Sequence, residues 1–190
     1  MRRLVVTEFL TLDGVMEDPG GSEGAPRGGW SFRFPDPDGM KFKLDETMAA
    51  EVLLLGRVTY EGFAAAWPGR TDEVGFADKM NAMPKYVWSS TLADPTWENT
   101  TVLSGDLAAE VAGLKDRDGG DILVAGSRTL AQALLAAGLV DELRLMVHPI
   151  VLGAGKRLFG ETDRELTLEL AEARSLASGT VILVYRRPGS

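Results

Sequence analysis

A three-layer α/β domain with a mixed, mostly parallel sheet is the fold class this sequence predicts, and three observations predict it. Short apolar runs alternate with segments of helical periodicity, the pattern of parallel strands joined by helical crossovers. Several of those runs stop abruptly at Gly or Ser, as strands do when they deliver the chain to a helix. The chain closes on two alternating runs joined by a Ser-Gly turn, which reads as an antiparallel hairpin at one side of the sheet.

Residues 4–10 form the first expected strand. Residues 13–39 follow as a long irregular segment rich in Gly, Pro and Asp, the kind of loop that is functional when it is ordered. Its aromatics Trp30, Phe32 and Phe34 argue for order. Met40, Leu44 and Met48 place a helix over 40–50, before a strand at 51–55. A helix over 59–67 carries Tyr60, Phe63, Ala64 and Trp67 on one face and stops at Pro68-Gly69. A polar stretch leads to a strand at 85–88 and a short strand at 100–103. Leu107, Val111 and Leu114 mark a helix over 106–116, with Ser104 or Asp106 as its cap. Another buried strand spans 121–125, and Leu130, Leu134 and Leu135 give the next helix, ended by Gly138. Leu143, Leu145 and Val147 alternate with Arg144, Met146 and His148 in a strand buried on one face. The closing hairpin is expected over 166–171 and 180–186. No repeat or linker divides the chain, so residues 1–190 are expected to form one domain.

Composition narrows the function classes. The 190 residues are 45% hydrophobic, carry a net charge of −8 and include no cysteine. The absence of cysteine removes disulfides, thiolate metal sites and a cysteine nucleophile, and fits a reducing cytoplasm. An acidic chain without a basic cluster disfavours nucleic acid and anionic membranes as partners. Its apolar runs fall short of the roughly 18 residues a membrane-spanning helix needs. His148 is the sole histidine, and no Asp/Glu set has ligand spacing, so no metal site is expected.

The chemistry-bearing pattern is at the strand ends. Strand 51–55 runs into Gly56-Arg57-Val58-Thr59, strand 85–88 into Ser89-Ser90, and strand 121–125 into Gly126-Ser127-Arg128-Thr129. Ligands of open α/β sheets bind beyond the carboxyl ends of parallel strands. There, glycines allow backbone to approach phosphate oxygens while hydroxyls and arginines supply donors. Taken singly, each junction also reads as a turn or helix cap; three together point to a dinucleotide. Neither a Rossmann Gly-x-Gly-x-x-Gly nor a P-loop is present.

Those residues resemble a known superfamily. Gly56-Arg57-Val58-Thr59-Tyr60-Glu61 is similar to the Gly-Arg-x-Thr-aromatic segment of dihydrofolate reductases, Ser89-Ser90 to their strand-end serines, and Val124-Ala125-Gly126-Ser127 to their glycine-rich turn. Thr11-Leu12-Asp13-Gly14, Gly138-Leu139-Val140-Asp141-Glu142-Leu143 and Pro149-Ile150-Val151-Leu152-Gly153-Ala154-Gly155 more closely resemble the C-terminal reductase domain of the bifunctional riboflavin-biosynthesis deaminase-reductase. The likeness runs from about residue 3 to residue 186. It implies a dihydrofolate-reductase-like fold, NADPH as cofactor and hydride transfer to a pyrimidine, pteridine or similar flat heterocycle, as in the pyrimidine reductase of riboflavin biosynthesis. It also implies a homodimer, built with the terminal hairpin and the strand at 142–148. Two positions depart from the pattern: the helix acid of dihydrofolate reductases falls near Met40, between Asp38 and Asp45, and the acid before the glycine-rich turn is replaced by Ala125.

The expected cofactor residues are Gly56, Arg57, Thr59, Ser89, Ser90, Gly126, Ser127, Arg128 and Thr129. Arg57 beside two serines, with no acid at that strand end to hold a ribose diol, favours NADP over NAD; its other reading is an ion pair with a nearby glutamate. Asp13 is the candidate catalytic group, with an Asp-Gly turn as the competing reading. Trp30, Phe34 and Asp38 are the candidate substrate residues of a lid, the aromatics serving either to stack on the heterocycle or to pin the loop. A ligand-binding dimer that lost reductase activity, and a structural dimer whose glycines are only turns, are the alternatives.

Overall fold

The computed structural model describes residues 1–160 and 165–189. One eight-stranded sheet organises them, in the order β4-β3-β2-β5-β1-β6-β8-β7. Strand β1 (Leu4–Thr11) is central. Helix α1 (Pro37–Ala49) leads into β2 (Ala50–Gly56), α2 (Arg57–Ala66) and α3 (Phe76–Ala82), then β3 (Lys85–Trp88) and β4 (Thr100–Leu103). Helix α4 (Leu107–Lys115), β5 (Asp121–Ala125), α5 (Arg128–Ala136) and β6 (Glu142–His148) follow, and β7 (Glu169–Ser175) and β8 (Val181–Arg186) close the chain. The pairs β1–β5, β1–β6, β2–β3, β2–β5 and β3–β4 are parallel; β6–β8 and β7–β8 are antiparallel.

The central strands are apolar on both faces because both faces are covered. Leu4, Val6, Leu54, Ile122 and Val124 pack with Val111, Leu114, Leu130 and Leu134 of α4 and α5. Val5, Leu53, Leu55, Val87 and Leu123 pack on the other side with Tyr60 and Met80 of α2 and α3. Beyond β1 on that same side, Phe9 and Phe42 of α1 meet Met146, Ile182 and Val184.

The expected elements are present with four informative differences. Helix α1 begins earlier than 40 because Asp36 caps it, accepting from the Asp38 and Gly39 amides at 3.0 and 3.2 Å, and Pro37 fits its first turn. The polar stretch before β3 contains a helix, α3, whose entry is held by the Asp72 carboxylate accepting from Phe76 and Ala77 at 2.9 and 2.6 Å. Strand β6 is buried on both faces, between β1 and β8, with Arg144 neutralised in an ion-pair cluster. The first strand of the hairpin lies at Glu169–Ser175, several residues later than the Leu166-Leu168-Leu170 alternation indicated. As an edge strand exposed along its length, β7 takes its register from β8 and the Leu176–Thr180 turn, not from apolar alternation.

The Asp36 carboxylate also accepts from the Ser178 amide at 3.0 Å, tying the α1 start to the β7–β8 turn. Asp36→Ala is expected to lower the melting temperature by several degrees, and Asp36→Asn to recover the capping part of that loss, since Asn is an equally good cap whose amide nitrogen cannot accept from Ser178. Thermal unfolding followed by circular dichroism decides this; equal losses for both variants would remove capping as the cause.

Candidate functional site

The site begins where β5 leaves β1. These strands pair from Leu4–Ile122 to Thr7–Ala125, after which β1 continues beside β6 as far as Thr11–His148. The divergence opens a cleft of about 700 Å³ at the carboxyl ends of β1, β2 and β5. Its floor is Thr7, Glu8 and Phe9; one wall carries Gly56–Thr59 and Ala125–Leu130, and the other carries Lys43, Glu46 and Thr47 of α1.

Two strand-to-helix junctions are locked together at this point. The Gly56 amide donates to Ser127 Oγ at 2.9 Å, and the Ser127 amide donates to Thr59 Oγ1 at 2.9 Å. The lock requires the chain to turn sharply after β5: Gly126 and Ser127 both adopt left-handed backbone, with φ of 60° and 61°. A Cβ on Gly126 would also stand 3.2 Å from Thr59 Cγ2. Neither α2 nor α5 has a side-chain cap. Both therefore present free amides and the positive end of a helix dipole to the cleft.

Of the residues expected to bind cofactor, Gly56, Arg57, Thr59, Gly126, Ser127, Arg128 and Thr129 line this one cleft. Arg57 Nη1 pairs with Glu61 at 2.9 and 3.0 Å on the helix surface. An exposed pair of this spacing contributes roughly 0.3–0.5 kcal/mol, little enough to be exchanged for an incoming phosphate. Arg128 Nε donates to the Arg157 carbonyl at 3.0 Å. Ser89 and Ser90 do not line the cleft; Trp88 does, and the Ser89 hydroxyl instead accepts from the Thr91 and Leu92 amides, both at 3.1 Å.

The expected substrate-side residues lie elsewhere. Trp30 is fully buried; its Nε1 donates to the Glu17 carbonyl at 2.9 Å and its ring meets His148 edge-on at 5.2 Å. Phe34 packs on the same imidazole at 5.9 Å. Both aromatics pin the loop, and only Phe32, 74% exposed, reaches the cleft. Asp38 is an exposed residue in the first turn of α1. His148 Nδ1 faces the carbonyls of Met146 and Leu10 at 3.0 and 3.3 Å. Carbonyls only accept, so Nδ1 carries the hydrogen, and burial holds the ring neutral by pushing its pKa below the usual histidine range. Among the described residues no group of three or more His, Cys, Asp or Glu could hold a metal ion.

Asp13 is a clamp. Its carboxylate accepts from Thr11 Oγ1 at 2.6 Å, from the Leu152 amide at 3.2 Å and from the Gly153 amide at 2.8 Å, and Arg157 Nε donates to its carbonyl at 2.8 Å. It does not line the cleft.

Charged residues that sequence reasoning did not single out also line it, among them Glu8 of β1 and Lys43 and Glu46 of α1. Lys43 Nζ lies 2.8 Å from Thr7 Oγ1 and 2.5 Å from Glu46 Oε1, and Thr7 donates to Glu46 at 2.9 Å. Arg144 approaches Glu46 from behind at 3.6 Å. Glu8 is 4% exposed, and its Oε1 has no hydrogen-bond partner among the described residues. Burial pushes its carboxyl well above the usual range, against the Lys43 charge and a hydrogen bond from the Gly126 backbone. The available signal was a glutamate inside the apolar run Leu4–Leu10.

The model of the RibD C-terminal domain family matches residues 2–182. The chain belongs to that family. The uncharacterized protein YyaP of Bacillus subtilis is 31% identical to this RibD C-terminal domain over 192 residues, covering 99% of this chain and 96% of YyaP. Among solved structures, a Shewanella sp. PV-4 protein assigned by name to riboflavin biosynthesis superposes with a TM-score of 0.76 at 23% identity, over 97% of this chain and 98% of that one. Dihydrofolate reductase from Enterococcus faecalis, solved with NADP(H), superposes with a TM-score of 0.60 at 16% identity, over 98% and 96% of the two chains. The dihydrofolate-reductase-like fold is thus shared. Glu46, farther along α1 than Asp38 or Asp45, is an acid of that helix that lines the cleft.

The clamp makes a stability prediction. Asp13→Ala should destabilise the fold by about 1 kcal/mol, because the part-buried Leu152 amide and the Thr11 hydroxyl lose their acceptor; at roughly 2–4 °C per kcal/mol the melting temperature falls accordingly. The hydrogen bonds from Thr11, Gly153 and Leu152 lower the Asp13 carboxyl to about 2. Its stabilisation is therefore complete above the unfolded value near 3.8 and is lost as pH falls through about 2. Acid unfolding of Asp13→Asn should lose that component; an unchanged acid limb would contradict the clamp.

Proposed function

We propose that this RibD C-terminal domain is an NADPH-dependent reductase that transfers a hydride to a pyrimidine, pteridine or similar flat heterocycle. The observation that carries the reading is a single cleft into which two uncapped, mutually hydrogen-bonded helix N-termini open beside a buried acid. Its volume lies in the range of small-molecule sites, roughly 300–1,000 Å³. The left-handed Gly126-Ser127 turn gives backbone access to a phosphate, and the unpartnered Glu8 oxygen gives a polar contact beyond it. The residues present therefore fit the cofactor.

The nicotinamide, when bound, supplies the hydride. The amides at the starts of α2 and α5 bind phosphate oxygens, and Arg57 exchanges Glu61 for the 2′-phosphate. Thr7, Lys43 and Glu46 form a fixed donor–acceptor array that orients the heterocycle. Phe32 and the pinned loop exclude water from the reacting atoms. The cytoplasm is the proposed location. A homodimer is proposed through the β7–β8 hairpin, supported by the exposed edge strand and Leu170, which is 55% exposed; β6, an interior strand, does not contribute.

Isothermal titration should show NADPH binding at micromolar concentration, and oxidation of bound NADPH by a panel of pterins and aminopyrimidines should follow. No binding at high micromolar NADPH would overturn the reading; binding without any oxidation across the panel would favour a ligand-binding protein that lost reductase activity. Arg57→Ala should weaken NADPH at least tenfold more than NADH. Equal losses would remove the basis for the phosphorylated cofactor.

A further inference from the structure

We propose that Glu8 is the proton donor of this site: its carboxyl stands protonated on the cleft floor and releases its proton when positive charge develops on a ligand ring seated beside Gly126. This rests on the NADPH reading. Glu8 is the residue after the last β1–β5 pair, Thr7–Ala125, so it borders the point where β5 turns away at Gly126. It is 4% exposed, lines the cleft, and its Oε1 has no hydrogen-bond partner among the described residues. A buried carboxylate oxygen without a donor is costly, whereas a neutral carboxyl is tolerated and can give a hydrogen bond to whatever enters. Burial disfavours the ionised form and outweighs the charge of Lys43 and a hydrogen bond from the Gly126 backbone.

The surrounding charges are specific. Lys43 and Glu46 face the floor from α1, but Lys43 is committed to Glu46 at 2.5 Å. Arg57 of α2 is paired with Glu61, and Arg128 of α5 donates to the Arg157 carbonyl. From the loop, Glu17 pairs with Lys156 at 2.9 Å, Asp18 accepts from the Glu23 and Ala25 amides, and Glu23 is held above its usual range by burial and Asp18. A new positive charge near Gly126 would therefore stand beside Glu8, which the Gly126 backbone already contacts and which can answer by ionising.

The balance of the step is simple. The hydride pair forms a C–H bond at the carbon of a substrate C=N, the π pair takes the Glu8 proton to give N–H, and the nicotinamide is left oxidised. Glu8 becomes a carboxylate facing a cation and regains its proton from water when the oxidised cofactor leaves. A reducible C=N, or its vinylogous equivalent, is the substrate class this arrangement serves.

The test needs no substrate. Titration calorimetry of the full chain in buffers of different ionisation enthalpy, at pH 6–8, counts protons exchanged on binding. NADP+ should release up to one proton while NADPH releases almost none, and NADP+ affinity should rise with pH by as much as tenfold per unit while NADPH affinity stays flat. Glu8→Gln, close in shape to the neutral acid, should bind both cofactors without proton release; Glu23→Gln should release as wild type does. Equal proton counts for the two cofactors, or release that persists in Glu8→Gln, would overturn the proposal while leaving cofactor binding intact. Failure of either cofactor to bind wild-type protein would instead overturn the NADPH reading. Should Glu8→Gln fail to fold, infrared difference spectra of wild type decide: loss of a protonated carboxyl band on NADP+ binding supports the proposal, and no change overturns it.

Discussion

Strand β5 parts from β1 after the Thr7–Ala125 pair because Gly126 and Ser127 both take left-handed backbone, and the rest of the site depends on that departure. A left-handed serine costs about 1 kcal/mol, which the surrounding structure must offset. Two hydrogen bonds do so, running from Gly56 to Ser127 and from Ser127 to Thr59. They fix α2 and α5 side by side with their amino ends directed at one volume. They also leave the β5-side edge of β1 uncovered next to Glu8.

The chain carries a net charge of −8, yet its cleft gathers two helix N-termini, Arg57, Arg128, Lys43 and Lys156 among the acids Glu8, Glu17, Asp18, Glu23 and Glu46, of which Glu17 and Glu46 are ion-paired. Local donors decide anion binding because solvent screens more distant charge over about 8–10 Å. At the amino ends of β1, β5 and β6, Arg3, Asp121, Glu142, Arg144 and Arg186 neutralise one another at 2.6–2.8 Å, with Arg144 reaching Glu46 behind the cleft. The floor is therefore stiffened from below by charge pairs that take no part in binding.

The long loop owes its order to two anchors of different chemistry. Trp30, Phe9 and Phe34 gather around a neutral His148, an apolar anchor. Asp13 supplies the polar one, joining the end of β1 to the Leu152-Gly153 turn. Between them, the loop is held against the body and Phe32 is left projecting at the cleft mouth.

The sequence alone determined what local chemistry determines. The alternation of apolar runs and helices specified the parallel sheet, because strands buried on both faces must be apolar throughout. The Gly-Arg-x-Thr and Gly-Ser-Arg-Thr segments were legible as strand-to-helix junctions because each is written in a few consecutive residues. The role of Asp13 was not legible, since its partners Leu152 and Gly153 lie 139 and 140 positions away. Nor was the fate of Trp30, whose burial depends on a histidine brought to it by β6. Glu8 was visible as an acid in an apolar strand, and Glu46 as one acid of several on a helix. Only the tertiary structure decided that both face the cleft, because a side chain's surroundings there are set by where the neighbouring strand ends.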